Sequence, residues 1–521
     1  MERDSLDRPQ AKAQETELER HRWRVLSLTS IGMFMGTLDS TIVAVALPAL
    51  GPSLHLSYSE ALWVQAAYLL MLSVLLIPMG RLADAHGLMR FYLIGAALFG
   101  LSSLACALSL NGASLIIARC FQGSGAAFMS ATSVALVTAV FPPQERGRAI
   151  GLNVMAGYLG LTAGPPLGGL IVTHFGWHWI FLINVPIAIA TLANGWFLLG
   201  AERRDRALAL QPSATDQPAA SGRTSRAGRA VDWPGGTLLG LMLASLLVPL
   251  TLIPFWGWAN PRTIGLLGAF VVLLAAFGFV EDRVSNPVLD LDLLRKNRVF
   301  AAGTLAALLN YAAVFGLTVF TAVFLEVVEG YSAQRAGLIL LIQPVFMAAL
   351  SPLFGRLSDR FGSRVLATGG MLLGAVGIAQ LGILPATVHP WRVLLALGTV
   401  GIGMAAFSSP NTSAVMGSVK RSQLSLAAGF LGTMRSTGQG ISVALLGAIA
   451  ASGLGPTGGR VLFLGEKASQ AAASSFSAGY RSAMFVAVGL AVAGAMVSLV
   501  RGRPAERQES PSGQTIAHRR P

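Results

Sequence analysis

Three ionisable side chains stand inside long apolar runs of this chain: Asp39 in GTLDSTIVAVALP, Arg119 in LIIARCFQGSG and Arg435 in GTMRSTGQG. A charge inside such a run is costly unless it is paired or hydrated, so each is a candidate for function by default. An aspartate accepts hydrogen bonds when ionised and donates one when protonated, whereas an arginine keeps its charge throughout. An acid and a guanidinium brought together can therefore exchange a proton while the cation balances the ionised acid. The plainer alternatives are a structural hydrogen bond for Asp39 and an outward-reaching side chain for Arg119. Arg435 has no acidic partner that the sequence identifies.

The elements that carry these residues are membrane helices. With 521 residues, 53% hydrophobic and 12% charged, and a mean hydropathy of +0.62, the chain is too apolar for a soluble globular protein. Apolar runs near the roughly 20 residues that cross a bilayer occur at about 25–48, 61–79, 91–110, 113–140, 149–172 and 179–200, then at about 234–254, 262–280, 299–325, 335–354, 365–384, 391–415, 424–452 and 481–500. The fold class is all-α integral membrane with 14 transmembrane helices. The N-terminal segment lacks a good cleavage site and is expected to stay in the protein. A formal charge of +14 would point to nucleic acid in a soluble protein; here the arginines fill short gaps between spans, so a lipid bilayer is the partner and nucleic acid is not. Cys106 and Cys120 lie in apolar runs and read as small buried residues.

Arginine asymmetry sets the topology. Arg81, Arg90, Arg146, Arg148, Arg295, Lys296, Arg298, Arg356, Arg360, Arg364, Lys420 and Arg421 fall in the even-to-odd loops, which are therefore cytoplasmic, as are both termini. A reporter fused within 201–231 is expected to read cytoplasm and one within 455–478 the outside; finding both on one side would refute the count of fourteen. With this orientation Asp39 lies about 21 Å from the cytoplasmic end of its helix, and Arg119 about 9 Å from the outer end of helix 4. The two are at similar depth in a ~30 Å core.

The loop GRLADAHGLMR at 80–90 is written again as GRLSDRFGSRV at 355–365, with Gly80, Arg81, Asp84 and Gly87 matched by Gly355, Arg356, Asp359 and Gly362. One copy joins helices 2 and 3, the other helices 10 and 11. The separation exceeds a six-helix duplication by about the length of two helices, so the architecture is two six-helix bundles plus an inserted helix pair, a parallel repeat of the kind found in transporters. The expected segments are a tail 1–24, a bundle 25–200, a basic linker 201–233, an inserted pair 234–281, a bundle 299–500 and a tail 501–521. The recurrence of the loop favours a conformational latch, with Asp84 near the start of helix 3 and Arg81 or Arg90 in reach of it. In helix 5, Gly160, Gly164 and Gly168 lie four apart on one face, beside Gly169 and the kinking pair Pro165 and Pro166. That pattern permits a close helix contact in the outer half of the membrane.

Across almost the whole chain these motifs resemble those of the major facilitator superfamily, in its fourteen-helix drug:proton antiporter family (EmrB/QacA-type). GRLADAHGLMR is similar to the family's loop signature, though His86, Leu88 and Met89 stand where aromatic and basic residues are commoner. LDSTIVAVALP at 38–48, LIIARCFQGSGAA at 115–127, GLTAGPPLGG at 160–169 and WHWIFLINVP at 177–186 are similar to its motifs on helices 1, 4, 5 and 6. The resemblance implies that helices 1 and 4 adjoin, which would bring Asp39 to Arg119 for proton coupling, and that the glycine-rich patch of helix 5 is an antiporter motif.

The implied function is a proton-coupled multidrug efflux antiporter in the cell (inner) membrane, exporting amphipathic or cationic small molecules by alternating access. A dedicated exporter of one metabolite or self-made antibiotic would use the same machinery. No GxxxxGK[ST] phosphate loop is written, so no ATP is expected to be used. A membrane-embedded enzyme would need clustered carboxylates or histidines, and His174 and His178 stand without acidic neighbours. No cofactor or metal is expected, the chain is expected to act as a monomer, and the sequence specifies no periplasmic adaptor. Gln65, Tyr68, Gln122, Asn153, Asn310, Tyr311, Gln343, Asn411 and Arg435 are candidates to line a polar cavity. Asn184 is a further candidate, Trp63, Tyr68, Tyr311 and Phe407 are candidates to stack on aromatic ligands, and the plainer reading of most of these residues is a helix–helix contact.

Overall fold

The computed structural model describes residues 3–142, 145–209, 233–284, 291–385, 389–419, 423–452 and 470–501. Within them, thirteen helices are long and apolar enough to cross a membrane. They are α1 (Glu19–Ser53), α2 (Tyr58–Ala83), α3 (Leu88–Ala107), α4 (Gly112–Val140), α5 (Arg148–Phe175), α6 (His178–Leu198), α7 (Pro234–Ile253), α8 (Pro261–Glu281), α9 (Arg298–Val328), α10 (Ala333–Ser358), α11 (Ser363–Gly382), α12 (Pro390–Gly417) and, last in the chain, α14 (Ala473–Leu499). Between the last two runs α13 (Leu424–Ala451), 28 residues long. It has the length of a span but a lower hydropathy, because Arg435, Ser436, Thr437 and Gln439 sit at its middle. The thirteen coincide in order with spans that the sequence leads one to expect, and α13 stands where the remaining one of the expected fourteen falls.

The helix starts are written locally. Ser57 and Glu60 form a capping box at the head of α2, and Asn111 with Ser114 does the same for α4. Asn260 followed by Pro261 opens α8. Each satisfies backbone donors that a helix start leaves free. Three local features are not apparent from hydropathy. The helix of α1 extends back to Arg3, through a polar segment rich in alanine, glutamate and arginine, all good helix formers. α6 is broken after Leu182 and resumes at Asn184. α9 ends in a π-helical turn, Phe324–Val328. That turn holds a half-buried Glu326 whose Oε1 has no partner among the described residues; its place at the end of the apolar run leaves it inconspicuous in the sequence.

The packing repeats with an offset of eight helices. In the first half α1 lies on α5, α2 and α3 lie on α4, and α3 lies on α6; in the second α9 lies on α13, α10 and α11 lie on α12, and α11 lies on α14. Eight is six plus the inserted pair. α7 and α8 pack on each other, and α7 rests on α2 and α13. Val271, Val272, Leu274 and Phe279 of α8 are exposed, as suits a helix whose solvent is lipid. The halves meet through α2 with α13 and through α5 with α10, two contacts that the same offset interchanges.

The doubled loop is also doubled in geometry. Gly87 has φ +111° and its amide bonds the Ala83 carbonyl at 2.8 Å; Gly362 has φ +85° and bonds Ser358 at 3.0 Å. Both are the sole residue between two helices, in a backbone region that side chains rarely enter. Arg90 and Arg356 are exposed. The side chains of Asp84 and Asp359 lie outside the described residues.

Candidate functional site

The motifs on α1, α4 and α6 converge on one buried cluster. Asp39 and Arg119 are both fully buried, and an Arg119 Nη1 hydrogen bond to Asp39 Oδ2 joins them in an ion pair. The other carboxylate oxygen, Oδ1, accepts from Gln122 Nε2 at 2.8 Å and from Asn184 Nδ2 at 3.0 Å. Gln122 Nε2 also donates to Ser103 Oγ at 2.8 Å, while its Oε1 accepts from Arg119 Nη1 at 2.7 Å and from the Cys106 thiol at 3.5 Å. Arg119 Nε donates to the Val64 carbonyl at 2.9 Å. The Tyr68 ring covers the guanidinium at 4.4 Å, and Phe181 stands 6.0 Å away. Five helices, α1, α2, α3, α4 and α6, thus hold one carboxylate.

Local sequence explains how they approach. A Cβ on Gly123 would lie 2.3 Å from the Tyr68 carbonyl, so only a glycine one turn after Arg119 lets α2 come close enough for Val64 and Tyr68 to reach the guanidinium. Asn184 reaches Asp39 from the point where α6 restarts. All three hydrogen bonds to the carboxylate come from nitrogen donors, one of them the Arg119 guanidinium.

Of the residues in this cluster, Asp39, Arg119, Gln122 and Tyr68 carry sequence signals as charges or as candidate polar lining. Asn184 has a weaker one. Ser103 and Cys106 have none, since a serine or cysteine in an apolar run is ordinary; only the packing of α3 on α4 brings them to Gln122.

A second feature lies between the halves. A cavity is lined from α1, α5, α9, α10, α12 and α13, with Thr41, Pro165, Tyr311, Phe315, Gln343 and Gln439 among its walls. Thr41 stands two residues from Asp39, about 200° around α1, so the cavity and the carboxylate occupy opposite faces of one helix. The other polar candidates go elsewhere. Gln65 donates to the Ser40 carbonyl at 2.5 Å, Asn153 accepts from Ser133 at 3.2 Å, Asn310 is buried with Oδ1 unpartnered among the described residues, and Asn411 binds the Gly303 carbonyl and Arg501. Arg435 lies one turn from Gln439, donates to Thr412 Oγ1 at 2.5 Å and sits 5.7 Å from the Tyr311 ring.

The glycines of α5 divide between two partners. A Cβ on Gly160 would meet the Phe34 carbonyl at 2.4 Å, one on Gly164 the Thr41 hydroxyl at 1.9 Å and one on Gly168 the Ile42 carbonyl at 2.9 Å. That face is laid on α1, within its own bundle. The contact between halves is made by the neighbouring face, where a Cβ on Gly169 would lie 2.4 Å from the Ala333 carbonyl and one on Gly337 would lie 2.3 Å from the Pro165 carbonyl. Nearer the arginine-rich face, Tyr158 and Ser408 hydroxyls bond across the halves at 2.7 Å.

Comparison with known proteins agrees with this architecture. Residues 29–443, and in a second match 303–521, fit the Major Facilitator Superfamily. The chain is 34% identical over 441 residues to the multidrug resistance protein Stp of Mycobacterium tuberculosis, covering 84% of this chain and 78% of that protein. It is 32% identical over 435 residues to the tetracenomycin C resistance and export protein of Streptomyces glaucescens, covering 83% and 77%. The structure of a bacterial homolog of the human lysosomal transporter Spinster, inward-facing and unoccupied, superposes with a TM-score of 0.61 at 17% identity, over 92% of this chain and 97% of that one, and shares its fold. The chain is a multi-pass membrane transporter and not an enzyme, and it belongs to the Major Facilitator Superfamily.

Proposed function

We propose that this transporter is a proton-coupled antiporter that exports amphipathic small molecules by alternating access, seated in the cell membrane with both termini in the cytoplasm. The observation that carries the reading is the fully buried Asp39–Arg119 pair, whose carboxylate accepts three hydrogen bonds and would lose part of that set on taking up a proton. One proton moving inward through about 150 mV releases roughly 3.5 kcal/mol, enough for a few hundredfold gradient of a neutral substrate exchanged one for one. α1 is the mechanical link, with Asp39 on one face and Thr41 on the other, against Gly164 of α5. Movement of Arg119 on protonation reaches the cavity wall through that contact. The contacts of Gly169 and Gly337 close the outer end, and the doubled GRL loops latch the cytoplasmic ends of the two halves in alternation.

The test is uptake of a fluorescent amphipathic probe into inverted vesicles, with and without an imposed pH gradient. Uptake that follows the gradient, and dissipates it in proportion, is expected; uptake indifferent to it would reject proton coupling. The similarity to a protein named for one antibiotic favours a second reading, a dedicated exporter with the same machinery. A substrate panel separates the two: transport of several unrelated scaffolds supports the multidrug reading, and transport of one supports the other.

A further inference from the structure

The cavity between the halves has walls of a particular kind. Its aromatic and sulfur-bearing side chains include Tyr311, Phe315 and Met404, its polar ones are uncharged, and among the described residues that line it none is acidic. Asp39, the deep carboxylate, is committed to Arg119 on the other face of α1. One turn along α13 from the lining residue Gln439, behind the lining itself, stands Arg435. It makes no ion pair among the described residues; its Nη2 bonds only a neutral hydroxyl, that of Thr412, and its buried Nε has no partner there. Tyr311, which lines the cavity, lies 5.7 Å from its guanidinium. A half-buried cation with a buried, unused donor is costly, and the group that relieves it is a carboxylate, phenolate or sulfonate, which a guanidinium binds through paired hydrogen bonds. The same field repels a cation. The adjacent rings offer stacking faces.

We propose that this cavity takes aromatic substrates bearing a negative charge or none, that it discriminates against cations, and that Arg435 anchors the anionic group. The proposal rests on the exporter reading and narrows its substrate class. It differs from the sequence-based expectation of cationic cargo because the deep acid that would attract a cation is sealed inside the first bundle. It also has an electrical consequence: a monovalent anion exported against one proton moves two elementary charges per cycle, a neutral substrate moves one and a monovalent cation none.

The experiment measures binding of three matched probes, 2-naphthoate, 2-naphthylmethanol and 2-naphthylmethylammonium, to the full chain in lipid nanodiscs. The wild type is expected to bind the naphthoate at least about tenfold more tightly than the ammonium, the scale of one hydrogen bond to a charged group. Arg435→Gln is expected to weaken the naphthoate about tenfold and the alcohol by less than about threefold, while Arg435→Lys keeps the order of the three. Should Arg435→Gln fail to fold, the wild-type order together with Arg435→Lys still decides. Binding of the ammonium as tight as the naphthoate, equal weakening of all three by Arg435→Gln, or no binding of any probe overturns the proposal. Vesicle uptake is read separately. A wild type that binds in the expected order yet moves no naphthoate under a pH gradient supports the cavity's selectivity and defeats the exporter reading alone.

Discussion

Asp39→Asn is expected to reduce pH-driven efflux to the level of membranes lacking the protein while membrane abundance stays near normal. Asparagine keeps the size of the acid and one acceptor oxygen but cannot ionise. If the protonated acid is an obligatory state of the cycle, the bundle must already tolerate a neutral group beside Arg119, and the variant rests in that state. Substrate binding in detergent therefore survives, because the cavity lies on the opposite face of α1. Arg119→Ala is the converse and harsher change. It leaves the Asp39 carboxylate buried with only the Gln122 and Asn184 amides, and loss of one partner of a buried pair costs about 3–5 kcal/mol, so both transport and abundance are expected to fall. The double variant Asp39→Asn with Arg119→Gln removes both charges; it is expected to recover abundance but not transport. Probe uptake into inverted vesicles, scored against immunoblotted protein, distinguishes these outcomes. An Asp39→Asn variant whose efflux still responds fully to the pH gradient would reduce the carboxylate to a structural hydrogen bond.

Gly337→Val is expected to collapse transport through a different route. The added Cβ would stand 2.3 Å from the Pro165 carbonyl, and a backbone atom cannot rotate aside as a side chain can. Overpacking of this kind costs typically 1–3 kcal/mol, but here it falls on a contact between halves that alternating access would break anyway, so the conformation open to the outside is favoured over the closed one. Folding within each bundle is unaffected by that opening. The readout is a cysteine at Thr318, a cavity residue, probed from outside with a membrane-impermeant maleimide: slow labelling with Gly337 in place, fast labelling in the Gly337→Val variant. Equal labelling rates with intact transport would show that the outer contact is not a gate. Gly164→Val loads the α1–α5 contact instead, so it is expected to disturb transport without opening the cavity to the reagent.

Much of the candidate site is legible in the sequence because charge in a bilayer is so costly. Asp39 and Arg119 are conspicuous against their apolar surroundings, and estimated depths along two helices already place them level. The doubled loop is legible for a similar reason: only a glycine serves as the single residue of a tight helix–helix turn at positive φ, so Gly87 and Gly362 appear at matching places. The glycine face of α5 is visible as a spacing, but the spacing does not reveal which helix it meets. Gly160, Gly164 and Gly168 turn out to lie on α1, while Gly169 and Pro165 meet the other half.

What the amino-acid order determined alone is the list of spans, the repeat offset by an inserted pair and the identity of the costly residues. These rest on transfer energies and helix geometry, which act residue by residue. What only the tertiary structure decided is which polar residues share a neighbour. Gln122 belongs to Asp39, Asn411 to Arg501, and Arg435 to Thr412; Ser103 and Cys106 enter the network with no signal of their own. The reason is geometric: a membrane helix fixes the height of a side chain and its angle about its own axis, but which neighbour it faces depends on how that helix packs among the other thirteen, and that packing is set by small residues and close contacts distributed over the whole chain.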